Sequence, residues 1–475
     1  MKKILSIFFL ILSDLASLLA AFILGYFLRS QILPHVISFK QPPLPLSSQL
    51  SRGFFVGVFI VIAILAFEKL YTKRVSFWEE TKLIIRGITL GFILMAMIVF
   101  VSRSYTQFSR IVTLLAWLFS LGIFPLFRLL TKKVLTKANL WGKKVLILGT
   151  NPTAKIIAQA IKSDRTLGYE IAGFLAEDRS EVGRIIVEDK KVIGTIDQVE
   201  EVSTKFGVQD IIIALPGIHQ DKLIGLMETC EKVTPTIRIV PAVGSLFTMG
   251  VEIESFGDIL SLSIARNLAR PWNIFIKKSF EVTLALVLLI LFSPILLLIA
   301  IAIKFSSPGP VLFRQERLIA NDKKIKIFKF RSMFIDGDAK LNDYLKQNPE
   351  ALVEWNRYQK IKNNDPRVTR VGKFIRRHSL DELPQLLNVL KGEMSLVGPR
   401  PYLPREKKEL GERYQIICRV KPGITGLWQV SGRNLLLFED RFLLDEYYIR
   451  NWSLWLDVVI LFKTIKVLAK HEGAY

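Results

Sequence analysis

Two adjacent carboxylates, Asp381 and Glu382, are the residues of this sequence whose types and spacing point most directly to chemistry. Acids in the first turn of a helix lie beside free backbone N–H groups and the positive end of the helix dipole, where a phosphate group also binds favourably. Two acids beside an anion site indicate a metal ion that bridges them. The alternative interpretation is that the acids serve only as a helix cap.

The element that must position these acids is predicted to be a short amphipathic helix. Ser379 and Glu382 have the S-x-x-E spacing of a capping box, and Gly392 supplies a stop signal. Leucines recur between them at i, i+3, i+4 and i+7, namely Leu383, Leu386, Leu387 and Leu390. We therefore expect Asp381 and Glu382 in the first turn of this helix.

Basic residues flank the two acids on both sides. Arg376 and Arg377 precede them, and Arg400 follows between Pro399 and Pro401. Because prolines on both sides stiffen the backbone around Arg400, its guanidinium suits fixed recognition of a phosphate group. This combination of acids and arginines favours a phosphate-handling site over simple capping.

The stretch from 376 to 401 resembles the signature of the bacterial polyprenyl-phosphate sugar-1-phosphate transferases. These monotopic phosphoglycosyl transferases start O-antigen, capsule and exopolysaccharide synthesis. The resemblance extends over the C-terminal part of the chain and includes several separate motifs. The motifs are Ser293-Pro294, Ser307–Pro310, Phe313–Arg317, Phe328–Met333, Ser379–Leu383, Gly398–Pro401 and Lys421–Gly426.

The resemblance implies a role for several residues. Phosphate groups of the substrates would be bound by Arg376, Lys329 and Arg400, and also by Arg314, Arg317 and Arg433. Ser293 and Pro294 would shape a break in a membrane segment.

Attack of one phosphate on another is opposed by charge, so Mg2+ and arginines are expected to neutralise a diphosphate. A carboxylate nucleophile would divide such a transfer into two steps through a covalent intermediate. Our hypothesis assigns Asp381 as the nucleophile on the β-phosphate, with Asp381 and Glu382 holding Mg2+. The expected partners are a UDP-sugar donor, undecaprenyl phosphate as the acceptor, and membrane lipids.

The donor sugar is not fixed by these motifs. The whole-chain architecture is most similar to the undecaprenyl-phosphate galactose phosphotransferases, while glucose-specific relatives share the same layout. No residue separates galactose from its C4 epimer. Galactose 1-phosphate is therefore the expected donor group, with glucose 1-phosphate as the alternative.

Composition and charge indicate a membrane protein. The chain has 475 residues, a net charge of +23 and 51% hydrophobic residues. Apolar segments joined by basic surface suit an anionic cytoplasmic leaflet, whereas nucleic-acid binding would more often come with a polar basic stripe. Nucleic acid is therefore not an expected partner. Two cysteines, Cys230 and Cys418, do not make a disulfide framework, and the four histidines lack the spacing of a zinc site.

The N-terminal part, residues 1–140, is predicted to be a four-helix transmembrane bundle. Its apolar runs lie at about 4–28, 53–70, 83–102 and 111–130, each near the length of a bilayer crossing. Basic residues concentrate on the side of both bundle termini, which predicts that these termini are cytoplasmic. That side carries Lys2, Lys3, Lys69, Lys73, Arg74, Lys82, Lys132, Lys133, Lys137, Lys143 and Lys144.

Residues 141–265 are predicted to form a Rossmann-like α/β accessory domain. Strand-like runs begin at Lys144, Glu170, Gln209 and Ile237 and alternate with helical segments, which indicates a parallel sheet. A dinucleotide site would have glycines at the first turn, but Asn151 and Ala154 replace two of them after Gly149. A regulatory or dimerising module is therefore favoured over a nucleotide site, and a homodimer is one outcome of that interpretation.

Residues 270–475 are predicted to form an α/β monotopic catalytic domain with a re-entrant membrane helix at about 279–305. Length alone would favour a fifth crossing, but that would place a lysine- and arginine-rich segment outside the cell. Pro294 removes a backbone hydrogen bond, so a helix-break-helix can return both ends to one face. We therefore expect a multi-pass protein of the bacterial inner membrane, with the catalytic domain on the cytoplasmic face.

Two further segments of the catalytic region are predicted from their composition. Residues 336–365 are typical of a mobile helical insert. The segment from Trp452 to Leu468 suits either an interfacial amphipathic helix or a core helix.

Two other classes of function stay open at this stage. The chain could be a non-enzymatic assembly factor of polysaccharide export, with the acids as a helix cap. It could also be a membrane-anchored NAD-dependent epimerase or dehydratase. The missing glycines and the absence of an obvious Tyr-x-x-x-Lys pair after Lys144 argue against the latter.

Overall fold

The computed structural model describes residues 2–36, 54–101, 109–234, 236–240, 251–256, 259–264, 267–319, 323–358, 361, 365–432 and 438–470. Its contacts divide the chain into two compact units, Met1–Val243 and Gly244–Tyr475. The first unit contains the predicted membrane bundle and most of the predicted α/β domain. The second contains the predicted catalytic domain.

The first unit begins with four helices and continues into alternating strands and helices. The helices are α1 (Lys2–Phe27), α2 (Phe55–Phe67), α3 (Phe77–Val101), α4 (Arg110–Lys137), α5 (Pro152–Ser163), α6 (Val199–Phe206) and α7 (Gln220–Glu231). The strands are β1 (Lys143–Leu148), β2 (Tyr169–Ala176), β3 (Ile185–Val187), β4 (Lys190–Thr195), β5 (Asp210–Ile213) and β6 (Ile237–Ile239). Helix α1 continues directly through a π-helical turn, Leu28–Ile32, into a last turn at Leu33–Val36.

Four helices in the described part of the chain are long and apolar enough to cross a membrane, and three of them belong to the first unit. They are Ile4–His35, Phe77–Ile98, Arg110–Lys137 and, in the second unit, Pro271–Ser306. The four helices expected in the N-terminal bundle are present. Helix α2, within the second expected crossing, has 13 described residues, about 20 Å at the rise of an α-helix.

Four ionisable side chains are buried together between α1, α3 and α4. Arg128 on α4 donates from Nε to Asp14 Oδ1 at 2.7 Å and from Nη2 to Oδ2 at 2.6 Å. One turn later on the same helix, Lys132 Nζ lies 2.7 Å from Glu80 Oε2. All four residues are almost completely buried. Two positive and two negative charges thus compensate one another in a setting where an unpaired charge would be very costly.

Trp141 joins this ionic group to the α/β domain. The Arg74 guanidinium lies over its ring with Cζ 3.3 Å from the centroid, and Lys132 Nζ is 4.9 Å from the same centroid. The indole Nε1–H donates to Thr166 O at 2.9 Å. A Cβ at Gly168 would lie 2.5 Å from the indole, so only glycine permits this packing. The loop before β2 therefore packs on the same side chain as the cations of the bundle.

The α/β domain contains a six-stranded sheet in the order β3-β4-β2-β1-β5-β6. Strand β1 pairs in parallel with β2 and β5, β4 pairs in parallel with β2, and β6 pairs in parallel with β5. Only β3 is antiparallel, on β4 at the edge. This is the parallel α/β sheet that the alternation of strand-like and helical runs predicts.

The turn after β1 is closed by the side chain of Asn151. Asn151 Oδ1 accepts from the N–H of Ala154 at 3.0 Å, and Nδ2 donates to Ala214 O at 2.6 Å. Gly149 has φ +116°, and a Cβ there would lie 2.4 Å from Ala214 O. Asn151 therefore caps α5 and ties it to the end of β5, using one of the N–H groups that a pyrophosphate would otherwise contact.

The second unit contains a long apolar helix and a mixed set of short elements. Its helices are α8 (Pro271–Ser306), α9 (Gly337–Gln347), α10 (Pro349–Tyr358), α11 (Arg370–Arg377), α12 (Leu386–Leu390), α13 (Lys407–Leu410), α14 (Tyr414–Ile417), α15 (Leu427–Val430), α16 (Phe438–Arg450) and α17 (Leu454–Lys470). Its strands form three pairs: antiparallel β7 (Val251–Phe256) with β8 (Ile259–Ile264), antiparallel β9 (Leu312–Leu318) with β10 (Lys324–Phe330), and parallel β11 (Ser395–Val397) with β12 (Gly423–Thr425).

Helix α17 combines the two alternatives expected for the C-terminal segment. Val459 and Ile460 are buried, and Ile460 belongs to the main core of the unit. On the same helix Phe462 is 59% exposed and Ile465 is 65% exposed. One face is therefore a core face, while another presents large apolar side chains outward. The insert after residue 336 is helical as expected, being formed by α9 and α10.

Helix α8 is helical over all of its 36 residues, with Pro294 inside it, and the re-entrant course expected at Ser293-Pro294 stays a prediction. Pro294 has no N–H to donate to Ile290 O, the acceptor four residues earlier. The Ser293 hydroxyl donates to that same carbonyl oxygen at 2.7 Å. The serine thus gives the Ile290 carbonyl the hydrogen bond that the proline cannot supply.

The N-terminal part of α8 is fixed to the rest of the unit by Lys277. Its ammonium group lies 2.8 Å from Asp457 Oδ2 on α17 and 2.8 Å from Glu281 Oε1 one turn along α8. It also donates to Val397 O at the end of β11 at 3.0 Å. Glu281 in turn accepts from the N–H of Leu396 at 3.1 Å. One mostly buried cation therefore joins α8, β11 and α17.

Replacing Lys277 with Met should destabilise the protein by about 3–5 kcal/mol, because Glu281 and Asp457 would be left buried without their cation. The measurement is thermal unfolding of the full chain in detergent. Lys278→Met is the matched control, since Lys278 is the exposed neighbour on the same helix. Equal melting temperatures for the two variants would contradict this account of the clamp.

Candidate functional site

Asp381 and Glu382 lie in a 3₁₀ helix, Leu380–Gln385, and α12 begins only afterwards. The predicted capping box is wrong. Ser379 adopts a left-handed conformation with φ 54°, and its side chain makes no cap hydrogen bond. The Glu382 carboxylate contacts Lys329 rather than the backbone N–H of Ser379. The predicted stop at Gly392 is confirmed, with φ +74° directly after the last turn.

Lys329 comes from the neighbouring hairpin and pairs directly with the second acid. Its Nζ lies 2.7 Å from Glu382 Oε1, and both side chains are mostly buried, at 22% and 34% exposure. Lys329 is held in register by the antiparallel pairing of β10 with β9, where it stands opposite Phe313. The hairpin thus delivers a fixed cation to the 3₁₀ helix that carries the acids.

Helix α11 delivers Arg376 to the same place. Thr369 caps this helix by accepting from the N–H of Gly372 at 2.8 Å. A Cβ at Gly372 would lie 1.9 Å from Ser332 O, so glycine allows α11 to approach the segment after β10. Arg376 Nε then donates to Ser332 Oγ at 2.8 Å. The positive charge of Arg376 acts on Asp381.

Of the acids in this group, Asp381 has a strongly perturbed pKa. Burial, followed by the negative charge of Glu382, raises the pKa of Asp381 to about 6, although Lys329 and Arg376 act in the opposite direction. Perturbed carboxyl groups of this kind are concentrated at functional sites. At neutral pH Asp381 is mainly ionised and poorly solvated, which suits a nucleophile.

Next to this group lies an ion pair between Asp365 and Arg367, to which the sequence motifs gave no role. Arg367 donates from Nη2 to Asp365 Oδ2 at 2.6 Å and from Nε to Asp365 Oδ1 at 2.9 Å. The charges of both residues act on Arg376. The Asp-Pro-Arg sequence at 365–367 was the signal from which this ion pair could have been predicted. The turn at the proline lets the two side chains meet.

The donor set of the two acids fits the expected Mg2+. Within the residues that the structure describes, no group of three or more His, Cys, Asp or Glu side chains is arranged to hold a metal ion. Mg2+ is usually bound by one or two carboxylates together with substrate phosphates, rather than by an all-protein cage. Asp381 and Glu382 match that pattern.

The other arginines singled out by the sequence have different environments. Arg314 on β9 is exposed, with its guanidinium 5.5 Å from the centroid of Phe328. Arg317 on the same strand is buried and donates to Gln315 Oε1 at 2.7 Å. Arg433 lies outside the described residues. The phosphate-binding roles of these three arginines stay predictions.

Arg400 belongs to a second group of charges. Its Nη2 lies 3.5 Å from Glu406 Oε1, and its guanidinium is 5.5 Å from the ring centroid of Trp428. Its backbone N–H donates to Asp445 Oδ2 at 3.2 Å, as does the hydroxyl of Tyr402 at 2.8 Å. The structure therefore brings Arg376 and Lys329 together with the acid pair and gives Arg400 a different set of contacts.

A family model described as bacterial sugar transferase matches residues 272–471, and one described as CoA-binding domain matches residues 70–241. The undecaprenyl-phosphate galactose phosphotransferase of Salmonella typhimurium is 36% identical over 412 residues, which cover 85% of this chain and 84% of that protein. The chain belongs to the bacterial sugar transferase family.

Two other relatives match this chain over 85% and 70% of its length. A UDP-galactose-lipid carrier transferase of Erwinia amylovora is 35% identical, covering 85% of this chain and 84% of that protein. The UDP-glucose:undecaprenyl-phosphate glucose-1-phosphate transferase of Escherichia coli is 31% identical, covering 70% of this chain and 69% of that protein. Relatives named for galactose and for glucose therefore both resemble this chain.

Asp445→Asn should stabilise the protein at pH 8 by on the order of 2 kcal/mol. Burial raises the pKa of Asp445 to about 7 in the folded chain, whereas an unfolded aspartate titrates near about 4. The carboxyl therefore disfavours folding increasingly as pH rises from about 4 through about 7. Asparagine keeps one oxygen for Tyr402 and Arg400 without a buried charge.

The measurement is the melting temperature of the variant and the parent chain at pH 5 and pH 8. The advantage of asparagine should shrink at pH 5. Glu439→Gln, an exposed acid on the same helix, serves as the control and should show no pH-dependent difference. An Asp445→Asn protein less stable than its parent at pH 8 would rule out a buried, destabilising charge.

Proposed function

We propose that this chain transfers hexose 1-phosphate from a UDP-sugar to undecaprenyl phosphate, giving undecaprenyl-diphospho-sugar and UMP. This would be the first membrane step of O-antigen, capsule or exopolysaccharide synthesis. The observation that carries the proposal is the partly buried carboxylate of Asp381, which adjoins Glu382 and is acted on by the charges of Lys329 and Arg376. Family membership supports the same reaction class.

The first step uses Asp381 as nucleophile. Its carboxylate oxygen attacks the β-phosphorus of the donor, and the bond from that phosphorus to the oxygen bridging it to the α-phosphorus breaks, so UMP leaves with the bonding electrons. The product on the protein is an aspartyl phosphosugar. Partial burial of the Asp381 carboxylate would favour this attack, because fewer water molecules need to be displaced from it than from an exposed carboxylate.

The second step regenerates the carboxylate. An oxygen of the undecaprenyl phosphate attacks the same phosphorus, and the acyl-phosphate bond to Asp381 breaks. Lys329 and Arg376 would neutralise the phosphate oxygens in both steps, since cations fixed in a partly buried site need no reorganisation. Mg2+, when held by Asp381 and Glu382, would supply further neutralisation of the diphosphate.

The donor sugar is proposed to be galactose, because two of the similar relatives are named for galactose or UDP-galactose. Glucose 1-phosphate is the alternative with the same mechanism, since other relatives are named for glucose. A non-enzymatic assembly factor is the remaining alternative. A protein without catalytic activity would give no functional reason for the raised pKa of Asp381.

The re-entrant topology is part of the same proposal, with the catalytic unit on the cytoplasmic face of the inner membrane. Both parts of α8, before and after Pro294, pack on the catalytic unit. Leu284 and Leu288 contact its main core, while Ile299 and Ile303 contact a second cluster with Ile375. A helix that crossed a bilayer away from this unit would not contact it through both parts.

The end of α8 is fixed to the catalytic unit as well. Arg331, which follows β10, donates to Ser307 O at 2.7 Å and to Pro308 O at 2.6 Å. Lys277 fixes the other end, as described above. Anchors at both ends of the apolar segment favour a segment that enters and leaves the membrane on one side.

Release of UMP from a panel of UDP-sugars, with undecaprenyl phosphate and Mg2+, tests the reaction and names the sugar. We expect release with UDP-galactose or UDP-glucose, and a loss of at least about a thousandfold in Asp381→Asn, because an amide is a poor nucleophile. Asp338→Asn, an exposed acid on α9, should be unaffected. Turnover by Asp381→Asn near the parent rate would eliminate the nucleophile assignment.

Labelling of single cysteines tests the topology. Lys278 and Lys304 are exposed and flank the apolar segment of α8, whereas the native Cys230 and Cys418 are buried. With a membrane-impermeant maleimide, Lys278→Cys and Lys304→Cys should both react in inside-out vesicles and not in intact spheroplasts. Reaction of the two cysteines from opposite sides would show a crossing helix and overturn the re-entrant proposal.

A further inference from the structure

Two arginines of the second charge group share one indole. The guanidinium of Arg400 is 5.5 Å from the ring centroid of Trp428, and that of Arg441 on α16 is 5.2 Å from the same centroid. The charge of Arg400 acts on Arg441. An anion bound beside both guanidinium groups would therefore be attracted by two positive charges at once.

The carboxylate of Glu406 lies beside Arg400 but pairs with it only at a long distance. Glu406 Oε2 accepts from the N–H of Leu403 at 2.7 Å, which fixes that carboxylate to the backbone. Its other oxygen stays 3.5 Å from Arg400 Nη2, longer than the 2.7–2.9 Å of a charge-assisted hydrogen bond. The guanidinium of Arg400 therefore keeps most of its donor capacity for another anion.

Two buried polar atoms in this group have no hydrogen-bond partner among the described residues. They are Nε1 of Trp428, a residue that is 7% exposed, and Oδ1 of Asp445, a residue that is fully buried. The other oxygen of Asp445 holds the backbone of Arg400 and the hydroxyl of Tyr402 in place. The buried indole N–H of Trp428 can therefore donate to an acceptor that binds beside the two arginines.

We propose that Arg441 and Trp428 complete, with Arg400, a binding site for a phosphate group of one of the two substrates. Glu406 competes with that phosphate for Arg400. Arg441 lies four residues before Asp445 on α16, so both face the loop that carries Arg400. This inference rests on the proposed function, and it adds two binding residues that the motifs of the sequence do not include.

The phosphate has two sources in the proposed reaction. One is the diphosphate of the UDP-sugar, and the other is the phosphate monoester of undecaprenyl phosphate. The chemistry recognised is the same, since guanidinium groups bind phosphate oxygens by paired N–H donors. Separate Michaelis constants for the donor and the acceptor distinguish the two sources.

The experiment measures KM for each substrate and kcat in four variants of the full chain. Arg441→Gln should raise KM for one substrate about tenfold or more with kcat changed little, and Arg441→Lys should restore part of the loss. Trp428→Phe should raise the same KM a few-fold. Glu406→Gln should lower it, because the competing anion is removed while the contact to Leu403 can be kept.

Arg450→Gln, on the same helix and paired locally with Glu446, is the control and should leave both constants unchanged. Unchanged KM values for both substrates in Arg441→Gln, with the parent chain active, would overturn the phosphate site. A gain of affinity in Glu406→Gln cannot arise from misfolding, so this variant keeps the test decisive if Arg441→Gln folds poorly.

A binding measurement separates this inference from the proposed function. Thermal stabilisation of the parent chain and of Arg441→Gln is compared with UMP, with undecaprenyl phosphate and with inorganic phosphate. If the parent chain releases no UMP from any sugar nucleotide, the proposed function fails. The phosphate site is then supported by stabilisation that depends on Arg441 and overturned by stabilisation that does not.

Discussion

The mostly buried ammonium group of Lys277 connects three elements of the second unit. It is shared by Glu281 on its own helix and Asp457 on α17, and it reaches the carbonyl of Val397. Val397 is followed directly by Gly398, Pro399 and Arg400. The same contact therefore fixes the long apolar helix, the C-terminal helix and the strand that leads to the second charge group.

The position of the acid pair follows from the other part of that helix. Ile299 and Ile303 pack against Ile375 on α11 and Leu380 at the start of the 3₁₀ helix. Arg376 and Asp381 are the next residues after these two apolar contacts. Side-chain packing thus fixes the position of the candidate nucleophile next to the apolar helix α8. Such a position suits a reaction between a soluble donor and a lipid acceptor.

Much of the fold was predictable because its signals are local. The strand-like run at Lys144 and the helix after Asn151 form β1 and α5, and Gly392 ends its helix as expected. The capping box failed because a long-range ion pair between Lys329 and Glu382, 53 residues apart, overrides a local pattern. The ion pair of Asp14 and Arg128 could not be predicted from local patterns either, because the two residues are 114 positions apart in the sequence. Of the candidate site, the acids and Arg376 were singled out by their motif. Arg441 and Trp428 come together only through tertiary packing.

The hydroxyl of Ser293 satisfies a backbone carbonyl inside the apolar helix α8. A helix that loses an N–H to proline normally exposes a bare carbonyl, and in hydrocarbon such a group draws in water or a polar neighbour from another helix. Here the donor sits one residue before the proline and bonds to Ile290 O. The proline and the serine that bonds to the affected carbonyl therefore occupy adjacent positions in the same helix. The hydrogen bond that compensates for Pro294 thus lies within the helix itself and requires no polar side chain from another helix.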